Sequence, residues 1–321
     1  MGDSEIIKRL SASEAVTSLT MEGKVAKVLE RLKWTVFRSP YFIDSNTGKA
    51  REIDVLARNV YHKKHDKHVD LSSSILLMVE CKSLTGYHIV VDGNLEMQGN
   101  IWEENHKIWA GYDEYNRYER IKPIIDKSKL SEKDKEKAVL NIKEWLFPND
   151  TSVMFKYCPQ PYQGIDSFTS YRETNIGTVK ELDNSVLWKS FLSLSAASDS
   201  YESSHWKTME DSFISDTNFI VDQGMAIFED MKPLFFYRDI FRHISIHKIL
   251  VIDSQIWELK KKPLPIKYFR FAQQNVEGMN ELWVDVVSMK HMEEYFGRIT
   301  NFYNSFFKQV KLRKMSSGYL P

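Results

Sequence analysis

The sequence predicts an α/β fold in which helices flank a mixed central sheet. Three observations carry this expectation. The run Ile75-Leu76-Leu77-Met78-Val79 is uninterrupted and aliphatic, as in a strand covered on both faces, and Lys248-Ile249-Leu250-Val251-Ile252-Asp253 repeats the pattern late in the chain. Between residues 21 and 33, Val25, Val28, Leu29 and Leu32 fall at helical spacing and mark an amphipathic helix. Strand patterns resume at Ile246 after a long polar and aromatic stretch, so the later strands are expected to complete the sheet around a long insertion after its third strand.

Taken in order, residues 4–18 read as a lead-in helix, and Thr20 as the cap of the stronger helix over 21–33. Trp34 to Phe37 reads as a strand. Asp44-Ser45-Asn46-Thr47-Gly48 reads as a turn, since Asp, Asn and Gly tolerate the backbone conformations that turns need. Arg51 to Arg58 and Ile75 to Ser83 are the next two strands, joined by a polar hairpin. Residues 86–174 read mostly as an insertion. One helix stands out there, from Ser131 to Phe147, with Asp134 at capping-box spacing from Ser131 and Pro148 after its end. Residues 184–231 look helical, with a loop over 195–204 between two helices. Ile256 to Leu259, Tyr268 to Phe271 and Leu282 to Val287 follow as strands. A last helix over 289–308 runs into the basic tail Lys308 to Lys314.

A chain of 321 residues with 42% hydrophobic content can bury a sizeable core, as one large domain or two small ones. No apolar run is long enough to span a bilayer, so no membrane partner is expected. The first ten residues lack the apolar centre of a signal peptide. Cys81 and Cys158 form no zinc-ligand pattern and no disulfide framework, which points to a reducing, cytoplasmic setting. The net charge of +0 conceals an asymmetry: residues 1–85 carry +3, 86–174 carry −3, 175–231 carry −7 and 232–321 carry +7. Basic ends around an acidic middle are compatible with a polyanion groove, the alternative being chance clustering of surface charge. There is no Gly-rich phosphate loop and no GxSxG elbow.

Chemistry concentrates in Arg51-Glu52-Ile53-Asp54-Val55-Leu56-Ala57 and in the end of the third strand, Val79-Glu80-Cys81-Lys82. Residues i and i+2 of a strand share a face, so Glu80 and Lys82 project together while Cys81 points away. If the two strands pair, Asp54 joins them. Two carboxylates beside an ammonium suit divalent-metal binding and metal-assisted phosphodiester hydrolysis. The competing readings are an exposed strand face for Asp54 and a surface salt bridge for Glu80 and Lys82. Glu22 lies three residues before Val25, on the buried side of its helix, where it either reaches the sheet or complements the helix dipole. His62, His65 and His68 read as part of a solvated loop. His243 and His247 either contact phosphate or flank a strand.

The helix glutamate Glu22, the strand acid Asp54 and the strand ending Glu80-Cys81-Lys82 resemble the PD-(D/E)xK nucleases of the restriction-endonuclease-like fold. The stretch of an acid in an apolar strand, a hairpin, then Val-Glu-Cys-Lys is similar to their Mrr-like and Holliday-junction-resolvase-like branches. The resemblance covers roughly residues 20–85 and departs from the family at Ile53, where a proline is usual. It implies that Asp54 and Glu80 are ligands of Mg²⁺, with Mn²⁺ able to substitute, that Glu22 is an auxiliary acid, and that Lys82 activates or orients the attacking water. A like-charged metal ion beside Lys82 would depress its pKa.

The expected organisation is then 1–85 as the first half of a nuclease core, 86–174 as an insertion for substrate or partner recognition, and 175–321 as a helical segment with the remaining core strands and a basic terminal helix. The expected function is a metal-dependent endonuclease, acting on DNA in preference to RNA, in defence, restriction or repair. Cutting both strands would favour a homodimer, and the insertion is a candidate surface for a protein partner. The alternatives are a catalytically silent module that binds nucleic acid or protein on the same fold, and an RNA-directed nuclease.

Overall fold

A computed structural model of the chain describes residues 4–6, 9, 13–44, 47–64, 70–84, 86–95, 122–123, 125–127, 130–136, 165–175, 177–181, 184–201, 203–204, 242–273 and 282–309. The expected helix beyond 136, the helix expected over 205–231, the hairpin tip with His65 and His68, and the basic tail beyond 309 lie outside the described residues.

The helix α1 (Glu14–Arg31) starts earlier than its apolar pattern suggests because Ser13 caps it, its hydroxyl accepting from the Val16 N–H at 3.3 Å. Residues 4–6 and 9 of the expected lead-in are helical, whereas from residue 14 onward that stretch belongs to α1. Thr20 does not cap anything; it lies mid-helix and its hydroxyl donates back to the Val16 carbonyl at 2.7 Å. The buried face of α1 is the predicted one, with Met21, Val25, Val28 and Leu29 under cover.

Among the described residues the strands are β1 (Thr35–Arg38), β2 (Tyr41–Ile43), β3 (Ala50–Glu52), β4 (Val55–Lys64), β5 (Asp70–Lys82), β6 (His88–Leu95), β7 (Ser167–Thr174), β8 (Arg242–Ile252), β9 (Ile256–Leu259), β10 (Pro263–Ile266), β11 (Tyr268–Gln273) and β12 (Leu282–Ser288). A helix over 186–201, α2, and a final helix, α3 (Met292–Gln309), complete the set used here. The single strand expected from Arg51 to Arg58 is two, broken at Ile53 and Asp54. The loop expected at 195–204 is helical at every residue described there, 195–201 and 203–204, because Leu194 and Ala197 continue the buried face of Leu187 and Phe191.

Ten strands form one sheet in the order β1-β4-β5-β8-β12-β11-β7-β6-β9-β10, and β2 and β3 form a separate ribbon. The sheet is mixed. β1, β4 and β5 run antiparallel in sequence, whereas β8 lies parallel to β5 and β12 parallel to β8. β6 and β7, whose ends frame residues 96–166, pair with each other inside this sheet.

The sheet cannot be flat. Ile252 ends β8 and Ile256 begins β9, although β9 stands five positions away. Four residues of extended chain reach about 14 Å, and five strand spacings need about 24 Å. The sheet therefore bends, and α2 fills its inner side: Leu187, Phe191, Leu194 and Ala197 share one core with Leu56, Met78, Leu250, Val286, Phe271, Phe168, Val91 and Ile256 from eight strands. Phe191 stacks on Phe271 at 4.9 Å between ring centroids and meets Tyr171 edge-on at 5.6 Å. The opposite face carries α1 and α3, with Val25, Leu29, Tyr295, Phe296 and Tyr303 covering Ile75, Leu77, Val79 and Val251. Trp34, just past the end of α1, donates a buried 2.8 Å hydrogen bond to the Thr300 hydroxyl in the middle of α3.

Phe191→Ala is expected to lower stability by about 3–5 kcal/mol. Urea unfolding should show a reduced midpoint with an unchanged slope; a loss under 1 kcal/mol would mean that α2 does not hold the bent sheet together.

Candidate active site

The β4–β5 ladder ends at the pair Val55–Val79. Beyond that rung the chain bends at Asp54, and the Asp54 carboxylate takes over as acceptor: its Oδ2 receives the Cys81 N–H at 2.6 Å. The bend is held from the other side as well. The Ser39 N–H donates to the Asp54 carbonyl at 3.0 Å, and the Ile53 N–H donates to the Pro40 carbonyl at 3.1 Å. Ser39 adopts a left-handed conformation (φ 50°) to make this corner.

Glu80 and Lys82 leave β5 on the α2 side, as the alternation predicts. Leu76 and Met78 precede them on that face, while Cys81 is buried with Val79 on the α1 side. The Lys82 Nζ stands 2.6 Å from Glu80 Oε2 and 3.3 Å from Asp54 Oδ2. The other Glu80 oxygen accepts from the Ser193 hydroxyl of α2 at 3.3 Å. Thus the three residues meet at the end of β5.

Glu22 arrives from the opposite layer. It is 5% exposed, and its Oε1 accepts from the Ser18 hydroxyl at 3.2 Å. Ser18 also reaches the Cys81 carbonyl at 3.4 Å, which links the first half of α1 to the end of β5.

The charges are unbalanced. Burial raises the pKa of Glu22, and the Asp54 carboxylate raises it further, more than Ser18 and Arg38 can offset. Burial and then Asp54 likewise raise Glu80, against the pull of Lys82. Burial works to lower Lys82, but Glu80 and Asp54 together prevail and hold its ammonium above the ordinary lysine value. Asp54 and Glu80 thus share one lysine with Glu22 beside Asp54, and Glu22 and Glu80 are pushed toward the neutral form by their surroundings.

A divalent cation fits that imbalance: Asp54 and Glu80 offer oxygen ligands, with Glu22 beside Asp54. Among the described residues, no three His, Cys, Asp or Glu side chains form a group that could hold a metal ion, and the Lys82 ammonium stands 2.6 Å from Glu80.

Sequence reasoning did not find Ser193, Ser18 or Asp253. Ser193 lies between Phe191 and Leu194 on an apolar helix face, and only the packing of α2 against β5 brings it to Glu80. Asp253 carries the same signature as Glu80, an acid ending a buried aliphatic strand. It accepts from the Ser83 hydroxyl at 2.5 Å and the Leu84 N–H at 2.8 Å, fixing the turn after Lys82. His247, a candidate phosphate contact, is instead a core residue. Its Nε2 meets the Tyr303 hydroxyl at 2.7 Å, and burial pushes its pKa down to about 3, so it stays neutral. The His62 and His243 side chains lie outside the described residues.

No family model matches the sequence, no curated protein matches it, and no solved structure matches the fold. Among the described residues, no helix is long and apolar enough to cross a membrane.

A glutamate whose folded pKa is raised contributes stability that is present below its unfolded pKa and lost as pH rises through the folded value. Glu22→Gln should therefore leave the urea midpoint nearly unchanged at pH 4, below the ordinary value of 4.5, and raise it at pH 8. An equal shift at both pH values would show that Glu22 carries no electrostatic strain.

Proposed function

We propose that this chain is a metal-dependent nuclease of the PD-(D/E)xK kind, hydrolysing phosphodiester bonds, with DNA as the favoured substrate. One observation carries the reading: Asp54, 28 residues before Lys82 in the chain, stands 3.3 Å from the Lys82 ammonium, which also meets Glu80 at 2.6 Å at the end of a buried strand. The mixed sheet with helices on both faces is compatible with a restriction-endonuclease-like core. Asp54 and Glu80 would hold Mg²⁺ or Mn²⁺, with Glu22 as the auxiliary acid. When bound, the ion offsets phosphate charge and makes water more acidic.

The residues themselves divide the remaining work. Cys81's backbone N–H fixes one oxygen of Asp54, and Ser193 fixes one oxygen of Glu80, so both carboxylates are oriented before substrate arrives. Lys82 Nζ, released from Glu80, donates to the attacking water or to a non-bridging phosphate oxygen, where negative charge grows. Asp253 holds the turn that follows Lys82 and so limits where its main chain can move.

A second reading has its own observation. The 2.6 Å Lys82–Glu80 pair already neutralises one acid, as a catalytically silent nucleic-acid-binding module would allow. RNA as the substrate uses the same site and is separated from DNA by direct comparison.

Purified wild type should cut DNA in Mg²⁺ or Mn²⁺ and not in EDTA. Lys82→Ala and Asp54→Asn should each lower the rate by about 10²-fold or more. Metal-independent cutting, or full activity in Lys82→Ala, would remove the nuclease assignment; binding without cutting under every metal would favour the silent module.

A further inference from the structure

The β1–β4 ladder places a second cation beside the acids of the candidate site. Arg38 ends β1 and pairs with Val55, the residue after Asp54, and the Ser39 N–H that follows it donates to the Asp54 carbonyl at 3.0 Å. Side chains directly opposite one another share a face, so Arg38 stands with Val55 and Val79 on the α1 side of the sheet, the layer from which Glu22 arrives. Its charge is felt at Glu22: burial and then Asp54 raise that pKa, and Arg38, after Ser18, opposes them. Arg38 is exposed, and its guanidinium makes no ion pair with a described residue.

A third cation belongs to the other face. Ser193, whose hydroxyl donates to Glu80 at 3.3 Å, lies on a stripe of α2 that runs from Lys189 to Ser200 at helical spacing. Ser200 donates to the Ile43 carbonyl of the β2–β3 ribbon at 2.7 Å, so the stripe borders the sheet end at which Asp54, Glu80 and Lys82 meet. Lys189 stands one turn from Ser193, with about 6 Å between their Cβ atoms. It is exposed, no acid lies within four residues of it along α2, and its ammonium makes no ion pair with a described residue.

Cations are needed at this place. Glu22, Asp54 and Glu80 repel the phosphates of an incoming strand, and Lys82 is engaged by Asp54 and Glu80. Arg38 and Lys189 lie on opposite faces of the sheet with these acids between them. The scissile phosphate belongs at the acids and their ion, so cations on either side face the phosphates before and after it. Contacts of that kind fix where a strand lies without reading its bases.

Resting on the nuclease reading above, we propose that Arg38 and Lys189 hold the phosphates on either side of the scissile one and set the register of the strand across the site. The substrate is then an internal phosphodiester of a nucleic-acid chain, and a terminal phosphate or a lone phosphodiester is a poor one.

Binding is read on the full chain carrying Lys82→Ala, without cleavage, by the anisotropy of a labelled DNA strand of about 12 nucleotides. Adding Arg38→Ala or Lys189→Ala should each weaken binding about 10-fold at low salt and lower the salt slope by about 0.7, and both together by about 1.4. Arg38→Lys and Lys189→Arg keep the charge and should bind as the parent does. Position is read on the wild type by cleavage of a tetranucleotide at its central linkage. A methylphosphonate, which carries no charge, at either outer linkage should lower kcat/KM about 10-fold. Arg38→Ala should remove that effect at one outer linkage, and Lys189→Ala at the other. Unchanged salt slopes in both alanine variants, or outer-linkage losses that persist in full in both, would overturn the proposal. The nuclease reading fails separately: a wild type that cuts nothing in Mg²⁺ or Mn²⁺, with both salt slopes lowered, loses catalysis and keeps the two phosphate contacts.

Discussion

The hydrogen bond from the Cys81 N–H to the Asp54 carboxylate sets the geometry of the whole site. β5 is covered on both faces, by α1 and α3 on one side and by α2 on the other, so its backbone groups have no water to turn to. As long as β4 runs alongside, each N–H finds a carbonyl. Past Val55–Val79 that partner is gone, and a buried N–H left unsatisfied costs about 1–3 kcal/mol. Asp54 supplies the missing acceptor with a side chain. The same step places a carboxylate beside Lys82 and forces the bend that turns the β1–β2 corner around it.

Buried charge elsewhere in the molecule is closed. Arg270 and Asp285 form a two-pronged pair at 2.7 and 2.8 Å, and the Tyr295 hydroxyl donates to the same carboxylate at 2.5 Å. Glu173 accepts from the Ser185 hydroxyl and from the Leu187 and Val186 N–H groups, where α2 begins, and Lys180 stands 3.5 Å away. Each of these carboxylates meets enough donors to be a structural element. Asp54 and Glu80 share Lys82, Glu22 lies beside Asp54, and Glu22 and Glu80 are both pushed toward the neutral form. Unbalanced carboxylates at the edge of a core are expected where a ligand's charge completes the set.

The bent sheet explains how so long a chain converges on one place. β6 begins six residues after Lys82, and β9 begins four residues after Ile252, so both connections turn close to the end of β5. Asp253 lies in the second connection and holds the first through Ser83 and Leu84. The turn after Lys82 is thereby tied to a strand from the far part of the sequence.

The sequence by itself determined the layers and the acids. The aliphatic runs of β5 and β8 mark strands buried on both faces, and alternation alone puts Glu80 and Lys82 on one side with Cys81 on the other. The helical spacing of Val25, Val28 and Leu29 names the buried face of α1 and sets Glu22 at its margin. Helix ends were less legible, because Ser13 caps through one hydrogen bond that no apolar period records, and because Ser195 to Tyr201 look like loop residues until Leu194 and Ala197 find a core. Long-range choices belong to the tertiary structure: the break at Ile53 and Asp54, the docking of Ser193 on Glu80, the burial of His247 against Tyr303, and the exposure of Phe37 and Tyr41. Each depends on which surface a distant segment covers, and a local pattern records how often a side chain turns inward without recording what it meets there.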